Sequence, residues 1–158
     1  MIRIGSSKDA AHVAPLFRET QQLHADNFPS LFRRPEWDGE ELEWLARSFA
    51  DERGLLLLAE LEGQVVGYLF AQEVVREENL FRPAMRYFSL EHIAVATSAQ
   101  RRGIGSALIN SLFAEARARK IARVVLEVWG FNDKAQRFFA RQGFATFNQR
   151  MDIQLNPS

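Results

Sequence analysis

The sequence predicts an α/β (α+β) fold, a mixed sheet with about four helices on its faces. Three observations carry that reading. The chain has 158 residues, 47% hydrophobic and 25% charged, the size and balance of one domain that buries its own core. Strand-like and helix-like patterns follow the order β-α-α-β-β-β-α-β-α-β, a mixture that suits helices packed on a sheet. No repeat, low-complexity tract or Gly/Ser-rich linker interrupts it, so residues 1–158 read as a single domain.

Ile2-Arg3-Ile4 reads as a short first strand. Asp9 to Gln22 carries Val13, Leu16 and Phe17 at helical spacing, with Leu23 just beyond, and Ser7 is placed to cap it. Asn27-Phe28-Pro29-Ser30 breaks that helix. Asp38 to Ala50 reads as a second helix, with Leu42, Leu45, Ala46 and Phe49 on one face and Asp38 as its cap. Leu55 to Leu61, the turn Glu62-Gly63, and Gln64 to Val75 together give a hairpin. Arg76 to Arg86 is polar, contains Pro83 and reads as a loop. Tyr87 to Val95 is the next long strand. Ile104 to Lys120 places Ile104, Leu108, Ile109, Leu112, Phe113 and Ala116 on one stripe, an amphipathic helix. Val124 to Val128 reads as a strand, Lys134 to Gln142 as a short helix ending at Gly143, and Phe144 to Leu155 as the last strand.

Composition excludes several chemistries. There is no cysteine, so disulfides, thiolate metal sites and a protein thiol nucleophile are absent. His12, His24 and His92 lack the spacing of a helical metal pair, and no metal is expected. No apolar run approaches the ~20 residues of a membrane span, and the N-terminal residues have no apolar signal region. A cytoplasmic protein without a membrane partner is the expectation.

Net charge is zero, but the halves differ. Residues 1–80 hold 15 acidic and 8 basic side chains; residues 81–158 hold 5 and 12. A basic half attracts a polyanion and an acidic half a cation, unless the two simply attract each other. A nucleic-acid partner is not expected, because such domains are usually basic overall.

The chemistry-bearing segment is Gln100-Arg101-Arg102-Gly103-Ile104-Gly105-Ser106, between a strand and the strongest helix. Glycines let the backbone turn tightly, and the N–H groups of a helix start suit phosphate. Arg101 and Arg102 add positive charge. The bland alternative is an ordinary tight turn. A nucleotide P-loop is excluded, because no lysine follows a glycine. The dinucleotide fingerprint lacks its third glycine, since that position is Leu108. Coenzyme A is the remaining phosphate reading.

Here the residues resemble a family. Gln100 to Gly105 is similar to the Gln/Arg-x-x-Gly-x-Gly/Ala signature of the GNAT superfamily of N-acetyltransferases. Leu90-Glu91-His92-Ile93-Ala94-Val95 resembles its fourth strand. Asn132-Asp133-Lys134-Ala135, then Phe138-Phe139 and Gly143-Phe144, resembles its second cofactor motif. The likeness covers residues 55–145 as a cofactor-binding core; residues 1–54 agree only as strand-helix-helix and would form the acceptor side.

The resemblance implies a mostly antiparallel sheet split by a bulge in the fourth strand. It implies acetyl-CoA, with pyrophosphate on the loop formed by Arg101, Arg102, Gly103, Ile104, Gly105 and Ser106. The pantetheine arm would pair with backbone of Ile93, Ala94 and Val95, and Asn132 would hydrogen-bond it. The reaction implied is acetyl transfer to a primary amine of a small molecule or peptide. That amine is mostly protonated at neutral pH and needs a base. Glu91 is the candidate, unless it faces solvent or pairs with an arginine. Strand alternation would point His92 to the opposite face, where a structural role is favoured.

One position departs from the pattern. Many members carry a tyrosine seven residues after the Asn, as the acid for the leaving thiolate; here Phe139 stands in that cofactor-side position. A non-catalytic acyl-CoA-binding module is therefore the alternative to an enzyme. The acidic early helices (Asp26, Glu36, Asp38, Glu40, Glu41 and Glu43) would suit a cationic acceptor, with Phe28, Phe32 and Trp37 nearby for a pocket or a homodimer contact.

Overall fold

Leu55, Leu56, Leu57, Leu58 and Ala59 are all buried, so the strand they form has a layer on each face. In the computed structural model, which describes residues 1–156, that strand is β2 (Gly54–Leu61). It turns through Glu62 (φ 51°) and Gly63 (φ 78°) and returns as β3 (Gln64–Arg76). Two successive positive φ values match the twist a two-residue hairpin needs. β1 (Ile2–Ile4), β4 (Met85–Val95) and β5 (Val124–Leu126) complete a sheet in the order β1-β2-β3-β4-β5. Every pairing is antiparallel except β4 with β5.

Helices α1 (Ala10–Asn27) and α2 (Glu40–Phe49) cover one face of the sheet. Val13, Phe17, Leu45 and Phe49 form one core there with Leu56, Leu58, Tyr68 and Phe70. Helix α3 (Ile104–Ala118) takes the other face and buries Leu108, Ile109, Leu112 and Ala116. At Gly67 the α3 side chain of Ile104 comes so close that an added Cβ would lie 3.3 Å from its Cγ2.

Two caps differ from the expectation. Ser6, not Ser7, accepts from Lys8 N–H, and Asp9 accepts back from Ser6 N–H at 2.8 Å. This reciprocal box closes a 3₁₀ turn (Ser7–Asp9) before α1. Arg3 then ties β1 to that turn, at 2.8 Å from Asp9 and 2.6 Å from Glu60. The guanidinium holds the Asp9 carboxyl below its usual range. At α2 the cap is Gly39 (φ 104°), while Asp38 accepts from Glu40 N–H at 3.1 Å. Helix α1 also runs five residues past Gln22, because Ala25 is still buried.

The chain groups into two units, residues 1–127 and the segment from Val128 onward. In the second, α4 (Asp133–Arg141) is followed by Gly143 at φ 97°, the expected C′ glycine. The last strand, expected over residues 144–155, is absent among the described residues. Met151, Ile153 and Leu155 do alternate, but all three are exposed. Alternation gives strand propensity; a strand also needs a partner edge to bond.

Candidate functional site

The site begins with an irregularity in β4. Phe70 pairs with His92, yet its neighbour Ala71 pairs with Leu90. Glu91 is the extra residue of this β-bulge, and it is exposed. The bulge shifts the phase of the strand. Leu90 lies opposite Ala71, on the α3 side, whereas His92 lies opposite Phe70, which belongs to the core under α1 and α2. The inserted residue thus puts Leu90 and His92 on opposite faces, where plain alternation would put them on the same one, and His92 sits under α1 and α2.

The bulge also frees an edge. β5 pairs only with Phe88, Ser89 and Leu90, so residues 91–95 have no partner strand on that side among the described residues. Ala96 N–H donates to Val66 O at 2.8 Å, which fixes the hydrogen-bond alternation. Ala94 bonds toward β3, and Ile93 and Val95 turn their backbone groups to the open side. Of these, Val95 O accepts from Gln100 Nε2 at 3.1 Å.

Just beyond lies the Gly-containing loop. Arg101 (φ 59°) and Gly103 (φ 76°) both adopt left-handed backbone on either side of Arg102. This is sparsely populated for a residue with a Cβ, such as Arg101. Gly103 caps α3 without any side-chain bond, and nothing lies within 4 Å of where its Cβ would be. The first helical bond runs from Ala107 N–H to Gly103 O at 2.9 Å. The N–H groups of Ile104, Gly105 and Ser106 thus precede the ladder, at the positive end of the helix. Arg101 and Arg102 are exposed beside them. The structure brings all six predicted loop residues together with the free edge of β4.

On the α1–α2 side, His92 is enclosed by rings. It stacks on Phe17 (5.4 Å, 6°) and on Trp44 (5.9 Å, 29°). Its Nδ1 lies 3.4 Å from the buried Tyr68 hydroxyl. Burial, reinforced by His24, lowers its pKa to about 4, and burial raises that of Tyr68. His92 is therefore neutral at physiological pH.

A recess of about 280 Å³ opens beside this stack, lined by Phe17, Pro35, Trp37 and Trp44 with Glu36, Asp38, Glu40 and Glu41. Sequence reasoning singled out Trp37 and these four carboxylates but missed Phe17 and Trp44, which read as ordinary helix residues. Asp26 lies elsewhere, paired with Arg34 at 2.5 Å. Glu41 is buried and ion-paired with Arg18, which lowers its pKa.

In the second unit, Asn132 caps α4, its Oδ1 accepting from Ala135 N–H at 3.1 Å. Phe139 is buried among rings, 5.3 Å from Phe138 and 5.8 Å from Phe144. No group of three or more His, Asp or Glu residues suited to a metal occurs among the described residues. None of their helices is long and apolar enough to cross a membrane.

Comparison with known proteins agrees with this geometry. The model of the acetyltransferase (GNAT) family matches residues 17–144. No curated protein matches the sequence. Among solved structures, a tetramutant of the BH1408 protein from Bacillus halodurans superposes with a TM-score of 0.91 at 20% identity, over 98% of this chain and 99% of that one. A ribosomal-protein-alanine N-acetyltransferase from Brucella melitensis biovar Abortus gives 0.72 at 21% identity, over 98% and 99%. An aminoglycoside acetyltransferase from an uncultured soil metagenomic sample, solved with sisomicin, gives 0.71 at 19% identity, over 100% and 96%.

Proposed function

The chain belongs to the GNAT acetyltransferase family, and from that premise we propose that it is an N-acetyltransferase moving an acetyl group from acetyl-CoA to a primary amine by direct attack. The free edge of β4 beside a helix-capping loop carries the reading. An amide-bearing arm needs extended backbone to pair with, and Ile93 and Val95 offer it. Phosphates need N–H groups and positive charge, which residues 101–106 offer. The open space at Gly103 leaves room for their approach. When bound, acetyl-CoA supplies an acetyl group activated as a thioester.

The remaining chemistry falls to the chain. Backbone N–H groups of β4 would steady the developing oxyanion. Glu91, on the bulge and exposed, would take the ammonium proton directly or through water. Asn132, placed by the family resemblance, keeps its amide Nδ2 for donation while Oδ1 caps α4. Two structural relatives are named as acetyltransferases of a ribosomal protein's alanine and of aminoglycosides. These names support an amine acceptor here, and the acidic recess supports a cationic one. We place the enzyme in the cytoplasm, without nucleic-acid or membrane partners and as a homodimer, which light scattering checks.

Phe139 favours a second reading, a non-catalytic acyl-CoA-binding module. It has no proton to give, and its ring is packed among others. One experiment separates the readings. Calorimetric titration with acetyl-CoA, beside CoA and ATP, is followed by an assay for amine-dependent thiol release. Binding with release supports the enzyme; binding without release for any amine supports the module; no binding removes both.

A further inference from the structure

The recess beside His92 has features that an acceptor's reacting amine does not use. Its walls are rings: Phe17 stacks on Trp44 at 5.5 Å and meets Trp37 edge-on at 6.4 Å. Its rim is acidic, and the four carboxylates are not equivalent. Glu41 is neutralised by Arg18. Asp38 accepts a backbone N–H. The Glu36 and Glu40 carboxylates have no hydrogen bond or ion pair among the described residues and stay exposed at the mouth.

The protein already places one cation here. The Arg18 guanidinium lies 5.8 Å from the Trp37 ring centre while its Nε donates to Glu41 at 3.0 Å. Aromatic face plus carboxylate is therefore a working cation site in this corner of the fold. Trp44 is 46% exposed, and with Glu36 and Glu40 it repeats that pairing without an internal cation.

An amine that attacks a thioester must be neutral when it reacts. A neutral amine gains little from carboxylates or ring faces. The recess is thus suited to a charge that stays on the acceptor throughout. We propose that it is a subsite for a second, non-reacting cation, and that the acceptor is a small diamine or an amine bearing another cationic centre. This rests on the acetyl-transfer reading above. The recess of about 280 Å³ holds a body of about ten non-hydrogen atoms, taking ~30 Å³ for each. One ring separates it from His92, and His92 adjoins Glu91 on the bulge. An ammonium held under Trp44 would leave the other end of a short chain directed to the β4 edge.

The test compares 1,6-diaminohexane with n-hexylamine, in the native protein and in the Glu36→Gln/Glu40→Gln double variant. The expected kcat/KM ratio in the native protein is about tenfold in favour of the diamine, beyond its having two ends, a size set by one cation–π contact with ion pairing. In the double variant the ratio falls to near one. Each ratio is read within one protein, so a general loss of activity does not blur it. A native ratio near one, or an unchanged ratio in the variant, overturns the subsite. Tryptophan fluorescence titrations without acetyl-CoA keep the two readings apart. If neither amine is acetylated, quenching by the diamine that disappears in the variant supports the recess as a cation site while the transfer reading falls. No quenching and no acetylation overturn the subsite.

Discussion

The Tyr68 hydroxyl stands 3.4 Å from Nδ1 of His92, on the face of the sheet that α1 and α2 cover. Both groups are held uncharged by burial, in opposite directions of pKa. The pair therefore links the interior of the first unit to pH.

The sign follows from the imidazole. Unfolded, His92 titrates near 6.5; folded, near about 4. Between those values the unfolded chain binds more protons, so stability rises with pH. The contribution is complete above 6.5 and is lost as pH falls toward 4, amounting to about 3 kcal/mol at most. Urea unfolding at neutral pH and at pH 5 should show it. His92→Gln should flatten much of that difference; an unchanged slope would assign it to other groups.

Glu91→Gln should leave acetyl-CoA binding intact and lower turnover by ~10²-fold, the usual share of a general base. The deficit should shrink at alkaline pH, where more of the amine is already neutral. A rate profile with pH measures this, and equal profiles for both proteins would remove Glu91 from the chemistry.

Gly103→Glu should weaken acetyl-CoA binding by at least about tenfold, ~1.4 kcal/mol. At φ 76° a Cβ is strained, and the added carboxylate enters the open space at the positive end of α3. Calorimetry reads the loss. Undiminished affinity would separate this loop from phosphate binding.

Phe139→Tyr restores a hydroxyl at the position where the family resemblance expects an acid. If the leaving thiolate limits the rate, turnover should rise several-fold. Burial of that hydroxyl without a partner costs about 1–3 kcal/mol, visible as a lower unfolding midpoint. A lower midpoint with no gain in rate would show that another group, or none, serves the thiolate.

Local signals made most elements legible. Leu108, Ile109, Leu112 and Ala116 announce α3 by spacing alone and are all buried. Glu62-Gly63 marks the hairpin because only certain residues accept its backbone. The loop at 101–106 was legible for the same reason. Other features depend on distant chain. That Glu91 is a bulge rather than an ordinary strand residue is decided by the register against Phe70 and Ala71. The recess needs Phe17 of α1 to meet Trp44 of α2, a contact no short window contains. Met151, Ile153 and Leu155 show the reverse case, where a clean local pattern found no ladder to join.

The bulge gives β4 something like a reading frame. Before it, Leu90 serves the core beneath α3; after it, His92 and Ala94 serve the core beneath α1 and α2. One supernumerary residue thus moves the even-numbered positions from one interior to the other. Excising position 91 would do more than remove a carboxylate. Leu90 and His92 would then follow each other directly opposite Ala71 and Phe70, and the ladder with β3 would run unbroken. The bend that a bulge puts into its strand would be lost at the point where β5 stops pairing and the edge opens.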